Sequence, residues 1–288
     1  MKNTAMSETG YWREIITPRH SLFSLRIREI WNYRDLLLIL IRRDIIAVYK
    51  QTILGPLWFF IQPLLTTITY VLIFSRIGKL STASLPPVIF YLSGLILWQY
   101  FSECILRTAT FFKDNSQILT KVYFPRLIIP LSLILTNLVK FGIQLLLFFV
   151  IYGYYVSTDS FIKPNAAAFL FPVLILLTGL LGLGMGVIIS SLTTRYKDLI
   201  HLLAFGVQLL MFASPVIFPL SSFANTKLKY LIMANPMSGI IEAFRYGFLG
   251  KGYFSWELLA YDTTCILFFL GAGIFLFNSV EKSFVDTI

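Results

Sequence analysis

From Ile53 to Ser75 the chain reads ILGPLWFFIQPLLTTITYVLIFS, 23 residues without one charged side chain. A helix of that length rises about 35 Å, enough to cross the ~30 Å hydrocarbon layer of a bilayer. Within that layer every backbone N–H and C=O must find its partner inside the protein, which leaves only helices or closed barrels. The apolar residues fall in long runs and not in the short alternation of barrel strands, so an all-α polytopic membrane protein is expected. Composition agrees, because 57% of the 288 residues are hydrophobic and only 13% are charged, too few to coat a soluble globule.

Six runs define the expected spans, at residues 53–75, 86–106, 127–156, 167–190, 199–219, where Pro215 interrupts the run, and 258–279. They form a transmembrane domain over residues 51–280, preceded by a cytoplasmic region of residues 1–50 and followed by a cytoplasmic tail of residues 281–288. The opening MKNTAMSETGYWREIITPRH is polar and broken by Pro18, with no secretory apolar core. In the stretch from Ser21 to Lys50 the apolar core, Leu36 to Ile41, is too short to span and is fenced by Arg34, Asp35, Arg42 and Arg43. Wound as a helix, it sets Leu37, Ile41, Ile45 and Val48 along one side. That pattern suits a helix lying in the headgroup layer, either as a plain basic anchor or in contact with a partner.

The net charge of +10, from 24 Lys and Arg against 14 Asp and Glu, would raise nucleic acid as a partner for a soluble protein. In a membrane chain, basic loops orient helices instead, and no nucleic-acid partner is expected. Arg107, Lys113, Lys121 and Arg126 face one Asp between the second and third runs, which places that loop in the cytoplasm. Sixteen Lys and Arg then fall on the cytoplasmic side and seven outside, with both termini inside.

Two segments depart from simple spans. The fourth run ends in GLLGLGMG, whose glycines lie three or four apart and let helices approach closely. Between residues 220 and 257, LIMANPMSGIIEAFRYGFLGKG is too short and too charged for a full span, so residues 235–250 are expected to form a re-entrant element on the outer side. Glu242 and Arg245 are three apart and able to neutralise each other on one helical face. Lys140, inside the third run, must face the protein interior, line a watery path or snorkel.

Residues for catalysis or ATP hydrolysis are not evident. His20 and His201 are the only histidines and fall in no ligand spacing; Cys104 and Cys265 form no CxxC pair and read as packing residues. No GxxxxGK[ST] loop is present. The spans carry almost no buried carboxylate of the sort a gradient-driven carrier uses, Glu103 and Asp262 being the exceptions near span ends. Energy is therefore expected from another chain.

The order of elements, a basic amphipathic segment, YKQTILGPLWFFIQP, a basic linker ending VYFPR, a Gly-rich fourth span and NPMSGIIEAFRYGFLG, resembles the integral-membrane subunit of ATP-binding-cassette exporters for surface polysaccharides, of the ABC-2 type and especially the O-antigen exporter permease. The resemblance runs from about Arg34 to the end. It implies a bacterial inner-membrane permease that forms a homodimer, joins two cytoplasmic ATPase subunits and exports undecaprenyl-diphosphate-linked polysaccharide. The chain itself would bind no cofactor, ATP and Mg belonging to the partner. It also implies that Lys113, Asp114, Lys121 and Arg126, in the segment 113–126, form the coupling helix received by the ATPase; the alternative is a loop that only orients the chain.

A polysaccharide path gives a physical use for 27 Phe, 15 Tyr and 5 Trp, because the C–H faces of sugar rings slide over aromatic rings without being trapped. Trp58, Phe59, Tyr70, Tyr91, Trp98, Tyr100 and Phe101 are the candidates, each equally suited to the lipid belt or the core. Arg42, Arg43 and Lys50 lie where the carrier's diphosphate would arrive, or else bind ordinary anionic lipid. Asn235, Pro236, Gly239, Glu242 and Arg245 form either an outer gate or a folded outer loop. The polymer itself stays open among O-antigen, capsule and teichoic acid. An enzyme acting on lipid-linked sugars is the alternative of another class; it would need clustered Asp, Glu or His at a membrane face.

Overall fold

A computed structural model describes residues 27–50, 53–122, 124–158, 162–193, 198–223 and 227–284, and every regular element among them is helical. Residues 1–26 of the amino-terminal region, His20 among them, the loop residues Arg195 and Lys197, and residues 285–288 of the tail lie outside the described set.

Short α1 (Ile27–Asn32) leads into α2 (Arg34–Lys50), the expected amphipathic helix. Its packed face carries Leu40, fully buried, beside Leu36 and Leu37, and it rests on Phe111, Phe112, Ile128 and Ile129. Leu38, Ile39 and Ile46 point away and remain exposed. The stripe expected through Leu37, Ile41 and Ile45 is thus centred on Leu40.

A 3₁₀ turn at Gly55–Leu57 opens α3 (Trp58–Tyr70), which continues as a π-helical turn over Val71–Ile77. Pro56 sits in the first turn, where a missing N–H costs nothing. A tight loop then enters α4 (Pro87–Asp114), again with a proline at its start. After α4, α5 (Ser116–Lys121) is a single turn and a half, and α6 (Ile128–Thr158) and α7 (Phe171–Thr193) follow, α7 extended at its start by a 3₁₀ turn at Ala166–Leu170. The remaining helices are α8 (Leu199–Phe212), α9 (Lys227–Met233), α10 (Pro236–Leu249) and α11 (Trp256–Phe284).

Five helical stretches among the described residues are long and apolar enough to cross a membrane: 55–77, 87–114, 128–158, 166–193 and 256–279. The sixth span expected across residues 199–219 is instead the 14-residue α8, about 21 Å long, short of the hydrocarbon thickness. Its helix stops at Phe212 for a chemical reason. Pro215 has no N–H to continue the ladder, and the carbonyls of Pro215 and Val216 turn aside to accept hydrogen bonds from Arg245.

α4 is the centre of the bundle, and α6, α7, α3, α10 and α8 all pack on it. The closest approach is to α7, through the glycines singled out in the sequence. A Cβ at Gly179 would stand 2.6 Å from the Tyr100 hydroxyl, one at Gly182 2.5 Å from the Cys104 Cβ, and one at Gly186 2.6 Å from the Thr108 Cβ. Those α4 residues are four apart and the glycines three and four apart, so the two ridges mesh turn by turn. On the opposite side of α7, Gly184 meets the backbone of Phe269 and Leu270 in α11, and Gly273 faces the Gly184 carbonyl. α7 therefore meets α11 almost backbone to backbone at this point and seats α4 side chains in its glycine ridge on the other side.

Candidate functional site

α4 joins two charged poles roughly 40 Å apart, the length of a 28-residue helix. At its amino-terminal pole, α10 is set by a complete pair of end signals. Asn235 caps it by accepting from the Met237 N–H at 3.1 Å, Pro236 occupies the first position, and Gly250 ends it at φ +68°. The helix is buried along nearly its whole length, with Glu242 and Arg245 each 1% exposed. Their side chains lie 3.5 Å apart, the pairing anticipated from their spacing.

Arg245 does more than neutralise Glu242. Its Nε donates to Ser93 Oγ, and its two terminal nitrogens donate to the carbonyls of Phe90, Pro215 and Val216, while the guanidinium lies 3.8 Å from the Phe90 ring centroid. Glu242 accepts from the backbone N–H groups of Leu220 and Tyr253. One ion pair thus ties α10 to the start of α4 and to the loops on both sides of α9 and α10. A buried pair of this type persists because its remaining donors and acceptors are satisfied. At Gly239, a Cβ would run into the Asp262 carboxylate of α11, which is buried and has no hydrogen-bond partner.

The other pole joins residues that the sequence had kept in separate groups. Arg43 of α2 pairs with Asp44 at 2.8 Å and donates to Asn115 Oδ1 at 3.3 Å, where α4 turns into α5. Arg43 and Asp114 line the same cavity of about 500 Å³, together with Asp44, Arg107 and Ile118. Arg42, Lys50, Lys113 and Lys121 are exposed outside it, and Arg126 is half-buried. The segment 113–126 is not one helix: Lys113 and Asp114 end α4, Lys121 ends α5, and Arg126 precedes α6.

Between the poles, Lys140 of α6 is 6% exposed and reaches Glu103 of α4 at 3.1 Å; Arg107 approaches the same carboxylate at 3.8 Å. The Phe59 ring of α3 lies 5.9 Å from the Lys140 ammonium. Of the three fates open to Lys140, the interior pairing is the one adopted. Sequence reasoning treated Glu103 and Lys140 separately, although two opposite charges in adjacent apolar runs were the available signal for a pair.

The seven aromatic candidates do not form one wall within a protomer. Tyr91, Trp98, Tyr100 and Phe101 are buried because α4 is covered on every side, whereas Trp58 is exposed and Phe59 and Tyr70 are half-buried on α3. Tyr70 stands edge-on to Phe74 and Tyr91, with ring centroids 5.2 and 6.2 Å away. A different aromatic cluster went unread: Phe148 and Tyr152 of α6, Phe171 of α7 and Phe244 and Phe248 of α10 interlock at 4.8–5.9 Å. No local spacing could reveal it, because its members come from three helices.

Among the described residues no three His, Cys, Asp or Glu side chains come together as a ligand set. Five apolar helices long enough to cross a membrane, with paired charges buried among them, make this an all-α polytopic membrane protein. The chain belongs to the ABC-2 type transporter family, whose profile matches residues 35–249, and it is therefore a transport subunit and not an enzyme. It is 30% identical to the O-antigen export system permease protein RfbA of Myxococcus xanthus, over 91% of this chain and 98% of that protein. A Klebsiella pneumoniae RfbA is 26% identical over 88% of this chain and 95% of its own length. The capsule polysaccharide export inner-membrane protein CtrC of Neisseria meningitidis serogroup B is 23% identical over 96% of this chain and 97% of its own length.

Proposed function

We propose that this chain is the membrane subunit of an ATP-driven exporter that moves undecaprenyl-diphosphate-linked, O-antigen-like polysaccharide across the bacterial inner membrane. The observation that carries the reading is the likeness to the O-antigen export system permease protein of M. xanthus over 91% of this chain and 98% of that protein. Two permeases pair, and two cytoplasmic ATPase subunits bind ATP and Mg and supply the energy. Both termini face the cytoplasm, with α8 and the turn after it completing the sixth crossing.

α3 supports the pairing. Only 11% of its most apolar window is buried, so lipid or a second protomer must cover the rest. Trp58, Phe59 and Tyr70 on this helix would line the sugar path, with Tyr91 behind them. The cavity shared by Arg43 and Asp114 would take the movement of the ATPase at α5, close to where the carrier's diphosphate meets Arg42, Arg43 and Lys50. α10, held by Asn235, Pro236, Gly239, Glu242 and Arg245, would gate the outer end. Capsular polymer is the second reading, favoured by the likeness to CtrC along nearly the whole chain.

The test is co-purification with a P-loop ATPase, followed by ATP turnover and transport of lipid-linked glycan into vesicles. Stable association and ATP-dependent transport are expected. Failure to associate with any such subunit, together with transport driven by a proton gradient, overturns the mechanism.

A further inference from the structure

At the pole where α10 is clamped to α4, a cavity of about 370 Å³ opens between the loop before α4, α9 and the turn after α10. That volume lies at the lower end of the roughly 300–1,000 Å³ occupied by small-ligand sites, enough for a sugar unit and too little for a polymer. We infer that this cavity binds an anionic saccharide unit, a pyranose carrying a carboxylate or phosphate, on its way out. The inference rests on the export reading for the source of the sugar, and on the cavity alone for its chemistry.

The charges that face the cavity are Lys229, Lys251, Arg245 and Glu242. Glu242 and Arg245 neutralise each other and spend their hydrogen-bonding capacity on backbone groups and on Ser93. Among the described residues neither Lys229 nor Lys251 makes a salt bridge. Two ammonium groups therefore remain to meet an anion. Lys229 Nζ lies over the Tyr253 ring, 4.7 Å from its centroid, and Tyr253 is 38% exposed, so cation and aromatic ring come together at the cavity. An aromatic face flanked by cations matches a sugar ring that bears a negative charge: the ring presents C–H groups to the aromatic face and its acid takes the ammonium donors.

The walls are built to keep this shape. Tyr253 N–H donates to Glu242 at 2.8 Å, fixing the ring's backbone. Gly252, at φ +148°, lies so close to the α10 backbone that a Cβ would stand 2.8 Å from the Glu242 carbonyl. Across the opening, Ala83 and Ser84 hold left-handed backbone at φ 53° and 63°, and Ala83 lines the cavity. Non-glycine residues in this region are strained and persist where the surroundings demand them.

The experiment uses the full-length permease in nanodiscs of zwitterionic lipid, titrated calorimetrically with cellobiuronic acid, cellobiose and inorganic diphosphate. Cellobiuronic acid should bind about tenfold more tightly than cellobiose, the effect of one charge-assisted contact. Lys229→Ala and Lys251→Ala should remove that preference, while Tyr253→Ala weakens both sugars and Tyr253→Phe neither. Equal affinity for the two disaccharides, or a preference unchanged in both lysine variants, overturns the assignment. Diphosphate binding as tightly as the acidic disaccharide also overturns it, in favour of a carrier headgroup. Because binding is read on the permease alone, a failure here leaves ATP-driven export standing, and a failure of export leaves this binding measurable.

Discussion

α3, entered through the turn that holds Pro56, and α4, which starts at Pro87, follow one another in the chain and lie in stretches apolar enough to span a bilayer, yet 11% of the apolar window in residues 55–77 is buried against 78% for α4. The difference is in what each offers a neighbour. α4 presents Tyr100, Cys104 and Thr108 to the glycine ridge of α7 and Glu103 to Lys140 of α6, so other helices can close on it. α3 presents Leu64, Leu65, Ile68, Leu72 and Ile73, all exposed, a surface that suits lipid or another protomer. Apolarity commits a segment to the membrane; small residues and paired charges commit it to the protein interior.

Substitutions can break that contrast, from the largest effect downward. Arg245→Met leaves Glu242 buried without its cation and releases the clamp on the start of α4, a loss of about 3–5 kcal/mol. Thermal unfolding of the detergent-purified protein should show it, and the double variant Glu242→Gln with Arg245→Met should recover part of the loss. Gly182→Leu drives a side chain into Cys104 and should cost about 3 kcal/mol or prevent recovery of folded protein, read as the monodisperse fraction on gel filtration. Lys140→Met removes one partner of Glu103 but leaves Arg107 beside it, so about 1–2 kcal/mol is expected in the same melt.

Trp58→Ala on the exposed face of α3 should stay within about 0.5 kcal/mol of the parent in stability. Its consequence should appear in vesicle transport, with export reduced while ATPase association is retained. Equal destabilisation by Trp58→Ala and Gly182→Leu would erase the distinction between the two helices.

How far the sequence could be read follows the same line. Long apolar runs with at most one charge announce five membrane helices because the cost of burying backbone and charge in lipid is large and local. Asn235, Pro236 and Gly250 announce both ends of α10, since caps act within a turn. Pro215 announces an interruption of the run at 199–219, but not that α8 ends already at Phe212 or that Arg245, 30 residues beyond Pro215, binds the Pro215 and Val216 carbonyls. Trp58 and Trp98 look alike in sequence, and only the packing of α6 and α7 around α4 decides which one is enclosed. Arg43 and Asp114 could not be joined from sequence, being 71 positions apart with no local pattern to link them.

At Gly184 and Gly273 no side chain stands between α7 and α11, and the glycine ridge on the other side of α7 is filled by Tyr100, Cys104 and Thr108 of α4. Surfaces meshed at the level of the main chain cannot slide without first separating, and separation would open voids that a close-packed interior resists. These three helices must therefore travel as one block, like the frame of a door. Shape change in a transport cycle is left to the parts hung on that frame: α3, which ends in a widened π turn, and α8, too short to reach across the bilayer.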